Sequence, residues 1–364
     1  MLTDKPLPSE RPTGVGVAAF SMALALSRRG DTVQYICRGE REETSSINRD
    51  LTVRTIRHYS RENLRASLLA MKEGRPELVH VHSSAAAPSL VAAWALGRTT
   101  VFHSHGDQPL HPIMLTLIRN IEMGLSQRVI AVSESTRHDL IRNHGVPGEK
   151  VVVAYNGVDP GEFRPMASQP SILRKFGLDG FDRIILSVGA VQRRKGQLTM
   201  VECMPGILRA CPKCCYVNIG NAYEEGFREM VLGRARELGV SGSVRFLAGV
   251  SREDLVTLIN AADLCVHPST REPFGLAVVE EMACAKPVVA FGIDAMPEII
   301  DNMVDGVLVT PGRREELTRS IVELLDNRGQ LSRIGAAARE KVAARFTWDK
   351  TASRLEEIYR ALQR

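Results

Sequence analysis

The sequence predicts a doubly wound α/β protein made of two successive units, each with a parallel sheet. Three observations carry this. Short apolar runs of strand length alternate with amphipathic segments of helix length along the chain, the order that parallel sheets require. Glycine-containing loops open helices at Gly14, Gly189–Gly196 and Gly275, where a doubly wound sheet keeps its ligand-facing edge. The alternation is interrupted by Asn156-Gly157-Val158-Asp159-Pro160 and a proline-punctuated stretch to Gln169-Pro170, which separates two halves of one architecture.

In the first half, Val15–Arg29 has helical periodicity and is closed by Gly30; the strand Thr32–Cys37 follows. Leu78–His82 and Thr100–Ser104 are short apolar strands with polar ends. Gln127–Ser133 and Lys150–Ala154 are further strands, with the helix Glu134–Asn143 between them. The start is unusual. A sheet of this type opens with a central strand, yet only Met1-Leu2-Thr3 precedes the polar, proline-containing Asp4–Pro8. The expectation is a truncated first strand, from a late start codon or a trimmed chain.

In the second half, Arg183–Val188 is a strand and Gln197–Ala210 a helix. The strands Tyr216–Ile219 and Val244–Leu247 follow, then the helix Ser251–Ala261, with Ser251 as its cap and Glu253 and Asp254 in its first turn. The strands Leu264–His267 and Pro287–Phe291 flank one more helix, which Lys286-Pro287 ends. The chain closes in helices, the last at Thr347–Leu362.

A chain of 364 residues can build two ordinary domains with a large core. Its 44% hydrophobic and 24% charged content is that of a globular protein. Net charge is only +5, and neither half is a basic module, so nucleic-acid binding is not indicated. Arginine outnumbers lysine in the first half, which would suit a phosphate or anionic-lipid surface, but an ordinary solvated surface is the expectation. No apolar run reaches the roughly 18–20 residues of a membrane span, and Met1–Thr13 does not read as a signal peptide. Among seven cysteines, Cys211-Pro-Lys-Cys214-Cys215 invites a metal reading, but no second Cys/His pair follows at finger spacing; free thiols in a reducing cytoplasm are expected.

Glu272-Pro273-Phe274-Gly275-Leu276 and Glu280 carry the most chemistry. Glu272 is placed in a strand-to-helix loop and Glu280 about two turns into the helix. The N–H groups at Gly275 and Leu276 would form an anion site at the helix start. The spacing alone also occurs on ordinary amphipathic helices. Arg193-Arg194-Lys195 follow a buried strand beside glycines, an arrangement that suits a diphosphate, with a solvated basic turn as the alternative. Thr13-Gly14-Val15-Gly16 opens the first helix and is a weak anion-site signal. His80 and His82, and again His103 and His105, alternate so that each pair shares a strand face; His111 stands further on. His105-Gly106-Asp107 lies just beyond a strand and is the most exposed candidate. No acidic partner for a metal lies nearby in sequence, and Asp-x-Asp occurs nowhere.

The ordered set resembles retaining glycosyltransferase family four. It comprises the loop at Gly14, Glu77–Ser83, His103-Ser104-His105-Gly106, Val129–Glu134, Tyr155–Asp159, Val188-Gly189 with Lys195-Gly196, the Glu272–Glu280 stretch and Pro297-Glu298. The resemblance implies a GT-B fold, two Rossmann-like domains facing a cleft. It implies residues 1–166 as acceptor domain, 167–342 as donor domain, and 343–364 as a helix returning to the first. It further implies metal-independent, retaining transfer of a hexose-type sugar from a nucleotide diphosphate, UDP favoured over GDP, to a hydroxyl acceptor.

In that reading Glu280 bonds the donor ribose and Glu272 the sugar hydroxyls. Phe274, Gly275 and Leu276 hold sugar and diphosphate through their backbone, and Lys195 holds phosphate. His105 approaches the donor sugar, with His103 one step of register away. Two positions depart from the family pattern. Ala190 stands where an arginine is usual, leaving Arg193 or Arg194 to supply the charge. Asp294-Ala295 stands where Gly-Gly is common. No cofactor and no metal are expected. The acceptor is open among lipid-linked glycans, polysaccharide ends and small molecules. A cytoplasmic location is expected, and peripheral contact with the inner face of the membrane stays open. A sugar-nucleotide epimerase or hydrolase, and a non-catalytic sugar-nucleotide-binding subunit, are the rival readings.

Overall fold

The computed structural model describes residues 1–6, 13–38, 43–56, 68–69, 71–82, 87–106, 123–167 and 169–363. His111 and Asp107 lie outside them. The chain divides into two compact units, Met1–Gly157 with Trp348–Arg364, and Val158–Thr347.

In the first unit the described strands are β1 (Leu2–Pro6), β2 (Val33–Arg38), β3 (Glu43–Ser46), β4 (Leu51–Ile56), β5 (Leu78–Val81), β6 (Thr99–Ser104), β7 (Arg128–Ala131) and β8 (Val151–Val153). They lie in the order β3-β4-β2-β1-β5-β6-β7-β8. All pairs are parallel except β3 on β4, an antiparallel hairpin that the sequence reading did not find. All four residues of β3 are polar and exposed, so no alternation marks it; Asp50 donates its N–H to the Asn48 side chain in the turn, at 2.9 Å.

The expected gap at the first strand is not there. Leu2–Pro6 takes the central place, with Leu2 paired to both Ile36 and Val81. The Ile36 N–H donates to the Met1 carbonyl at 2.8 Å. Thr3–Pro6 carries no apolar pattern. Main-chain pairing with two flanking strands makes this strand, which side-chain periodicity cannot report.

The helices α1 (Gly14–Arg28), α2 (Ala87–Ala95) and α3 (Glu134–His144) accompany this sheet. Thr13 caps α1 by accepting the Gly16 N–H at 3.1 Å. Ser133 caps α3 through the Thr136 N–H, and Gly145 ends it in the left-handed region. Val79, Val81, Phe102, Val129 and Ala131 from the strands, with Leu90 and Leu140 from the helices, form one buried cluster. Each such side chain taken fully from water contributes about 1.5–3 kcal/mol.

In the second unit β9 (Arg183–Val188), β10 (Cys214–Ile219), β11 (Val244–Leu247), β12 (Leu264–His267), β13 (Val288–Phe291) and β14 (Val307–Val309) form a parallel sheet in the order β11-β10-β9-β12-β13-β14. The order reverses at β9, between β10 and β12, the switch point where such sheets bind ligands. Around the sheet run α4 (Pro170–Lys175), α5 (Gln197–Ala210), α6 (Phe227–Glu237), α7 (Arg252–Ala261), α8 (Leu276–Ala283), α9 (Met296–Ile299), α10 (Arg314–Asp326) and α11 (Arg328–Arg345). Ile185, Tyr216, Val266 and Val289 meet Met200, Met204, Ile207, Ile321 and Leu324 in the core.

The unit boundary falls at Gly157, earlier than the expected residue 166. Residues after it are tied to the second unit: the Val158 N–H donates to the Phe346 carbonyl at 2.9 Å, and the Met166 N–H to Asn260 Oδ1 at 2.8 Å. The last helix, α12 (Trp348–Leu362), belongs to the first unit. It is joined to α1 by Arg29, whose guanidinium donates to Glu356 at 2.6 Å and Asp349 at 2.8 Å.

Candidate functional site

The carboxyl ends of β9 and β12 bring together Lys195 and Glu272. After β9 the chain runs through Gly189-Ala190 into a single turn at Arg193–Lys195, and Gly196 then starts α5 with φ +73°. Buried amides fix this loop: Gln197 donates to the Ala190 carbonyl at 2.9 Å and Asn218 to the Gly189 carbonyl at 3.3 Å. A side chain on Gly196 would place its Cβ 2.1 Å from the Pro268 carbonyl oxygen, so the two loops touch backbone to backbone there.

The three adjacent cations diverge. Lys195 lies along Gly189 and donates from Nζ to Glu272 at 2.5 Å, and both side chains are largely buried. Arg194 donates to the Arg271 carbonyl at 3.2 Å, which leaves its charge near Glu272. Arg193 turns away to Glu224 and stacks over Phe227, 5.3 Å from the ring centre. Of the two arginines that could replace the charge absent at Ala190, Arg194 is therefore the one beside Glu272.

Burial alone would push the Glu272 carboxyl up. The Lys195 ammonium outweighs that, with smaller help from His267 and Arg194, and holds it below the usual carboxylate range. Ser269 donates to Glu272 at 3.4 Å. The Glu272 N–H donates to Asp294 at 2.7 Å. Asp294 has φ +42°. The position that departs from the family's Gly-Gly thus fastens the glutamate loop.

Gly275 caps α8 at φ +95°, and being a glycine it offers no side chain to the first N–H groups of that helix. A Cβ on Gly275 would meet the Met296 methyl at 2.7 Å. The Phe274 ring is buried edge-on to Phe346, 6.0 Å between centres, so its side chain is taken up in packing. Leu276 is the first residue of α8. Glu280 consequently lies one turn into the helix, not two. It is mostly buried, and burial pushes its carboxyl up to about 7 against the attraction of Arg252.

Sequence reasoning missed Arg252, the bond that Asp294 makes, and the buried pair of His267 Nε2 with Glu281, 2.7 Å apart. Ser251 was legible as a cap, but the arginine after it carried no motif.

In the first unit Gly14 is the exposed first residue of α1, whose Gly16 N–H is already taken by Thr13. His80, His82, His103 and His105 form one group of rings. Neighbouring centroids are 4.2–5.4 Å apart and ring planes lie 3–31° from parallel. His82 Nδ1 and His105 Nε2 are 3.1 Å apart, and His80 Nδ1 lies 2.6 Å from the Tyr359 hydroxyl. Burial, with mutual repulsion, holds His80, His82 and His103 well below the usual histidine range, hence neutral.

Nitrogens of His80, His82 and His103 come within 4.8 Å of one another. An imidazole lone pair lies in its ring plane, so rings stacked this nearly parallel do not aim at a common point. Cys214 and Cys215 offer no thiolates, because burial raises both thiols, Cys215 to about 11.

The family model for Glycosyltransferase Family 4 matches residues 12–162, and that for Glycosyl transferases group 1 matches residues 168–341. The chain belongs to glycosyltransferase family four. D-inositol 3-phosphate glycosyltransferase of Thermobispora bispora is 31% identical over 268 residues, 72% of this chain and 62% of that protein. Among solved structures, sucrose-phosphate synthase from Thermosynechococcus elongatus shares the fold at TM-score 0.84 and 20% identity, covering 99% of this chain and 98% of that one. Anabaena HepE in complex with UDP-glucose does so at TM-score 0.80 and 21% identity, covering 99% and 98%. Both share the GT-B fold seen here as two Rossmann-like units. Among the described residues, no helix is long and apolar enough to cross a membrane.

Proposed function

We propose that this glycosyltransferase moves a hexose-type sugar from a nucleotide diphosphate, UDP before GDP, to a hydroxyl acceptor, with retention at the anomeric carbon and without a metal ion. The observation that carries the reading is the buried Lys195–Glu272 pair at the switch point, beside a helix start whose cap is a glycine. Lys195, Arg194 and the start of α8 offer positive charge to a diphosphate. Glu272 offers a carboxylate to sugar hydroxyls, and Glu280 one to the ribose. His105 takes the role of the family's strand-end histidine at the donor sugar.

In the reaction the bond from the anomeric carbon to the β-phosphate oxygen breaks as the acceptor oxygen bonds to the same face. The acceptor proton passes to the departing phosphate, so nucleoside diphosphate and glycoside are the products. The UDP preference is supported by the UDP-glucose held in the Anabaena relative of this fold. Inositol phosphate heads the acceptor panel, because the Thermobispora relative is named for it.

The test incubates the chain with UDP-, GDP- and ADP-sugars and an acceptor panel of inositol phosphate, lipid-linked sugars and small aglycones. Products are read by mass spectrometry and their anomeric configuration by NMR. A glycoside with the donor's configuration is expected. A new sugar nucleotide, or free sugar alone, would establish the epimerase or hydrolase instead.

A further inference from the structure

Arg252 stands at the first position of α7, just after the cap Ser251. Its Nε and Nη2 both donate to Glu162, the second at 2.9 Å. Its guanidinium lies over the Phe163 ring, 4.9 Å from the centre. Held by that fork and that ring, it presents Nη1 3.7 Å from Glu280 Oε1. A guanidinium pinned by one carboxylate and aimed at a second, largely buried one is a built arrangement, since a fork bonded on two edges has little freedom left to lose.

From these contacts we infer that Arg252 is a positioning residue for the donor: it favours the ionised form of the Glu280 carboxyl and orients it to accept the ribose hydroxyls. The inference rests on the ribose role proposed for Glu280 above.

The electrostatics agree with the geometry. Burial is the largest influence on Glu280 and raises its carboxyl to about 7. Arg252 is the group that opposes it, while Glu162 and Glu281 push the same way as burial. Cys284, one turn on, is itself raised by burial and stays neutral. Arg252 keeps its charge although burial works against it, because Glu162, Glu280 and Asp159 outweigh that effect. Glu280 therefore titrates near neutrality, where one nearby positive charge decides its state. A ribose hydroxyl donates to a carboxylate more strongly than to a carboxylic acid. Nucleotide affinity should accordingly fall as pH drops through about 7, and loss of Arg252 should move that fall to higher pH.

The experiment compares wild type, Arg252→Gln and Arg252→Lys. The Glu280 carboxyl is titrated in the free protein by carbon NMR, assigned with Glu280→Gln. UDP affinity is measured by calorimetry from pH 5.5 to pH 9, conditions chosen to bracket the titration. Arg252→Gln is expected to raise the Glu280 midpoint by about one pH unit or more, and to shift the fall in UDP affinity with it. Arg252→Lys, which keeps the charge, should stay close to wild type in both. A Glu280 midpoint unmoved in Arg252→Gln overturns the inference, whatever UDP does. A midpoint that moves while UDP affinity ignores pH overturns the ribose role of Glu280 instead. Melting temperature is followed in parallel, since a merely structural loss would lower it without moving the titration.

Discussion

A glutamate one turn inside a helix, mostly buried and with Arg252 as its nearby cation among the described residues, is an expensive residue. Glu280 shows the sign of that cost. Its carboxyl ionises at an ordinary value in the unfolded chain and at about 7 in the folded one. At low pH both states are protonated. As pH rises, the unfolded chain gives up its proton first, so the stability present at acid pH is lost until the folded value is passed. Glu280→Gln imitates the protonated acid. It should match wild type near pH 4 and exceed it by about 1–3 kcal/mol at pH 8 in denaturant unfolding, while its UDP affinity falls. Equal stability at pH 8 would contradict the burial argument. The sequence carried Glu272, Glu280 and Lys195, because their spacing belongs to one continuous motif or one loop. Arg252 and Glu162 were not legible, and of Asp294 only the departure from pattern was, since each acts through a contact distant in sequence. The divergence of Arg193 from Lys195 was also hidden: three adjacent cations on one turn cannot all face one way.

The elements that position these residues were legible wherever side-chain pattern makes them. β9, β11 and β12 and the helix α5 fall where the apolar runs place them. β1 and β3 were not, because neighbouring main chains rather than their own side chains define them. The loop from β9 into α5 shows how an element places a site. Gly196 combines φ +73° with backbone contact against Pro268, which joins the Lys195 turn to the Glu272 loop. Gly145 has a similar φ of +65° but open space around it. Gly145→Ala should therefore cost only backbone strain, about 1–2 kcal/mol. Gly196→Ala adds a clash and should cost clearly more, and lose sugar-nucleotide binding as the two loops part. Denaturant unfolding and calorimetry on both variants check this; equal losses would show that the close approach carries no weight.

Across the whole molecule, the chain builds a mainly parallel sheet twice, and its last helix, α12, belongs to the first unit. Arg29 with Glu356 and Asp349, and Thr351 donating to the Tyr155 carbonyl at 2.8 Å, fasten that helix within the first unit. The two-unit plan was readable from the turn at Asn156–Pro160. Its border lies at Gly157 because the residues beyond it bond to Phe346 and Asn260. In the function proposed above, the second unit carries a nucleotide-sugar site in which protein cations take the place of a metal. Calorimetric titration of wild type with UDP-, GDP- and ADP-glucose, with and without EDTA, measures this directly. Saturable binding is expected, tightest for UDP-glucose, unchanged by EDTA and weakened in Glu280→Gln by about 1.5–3 kcal/mol. Binding abolished by EDTA and restored by magnesium or manganese, or equal affinity in Glu280→Gln and wild type, would contradict it.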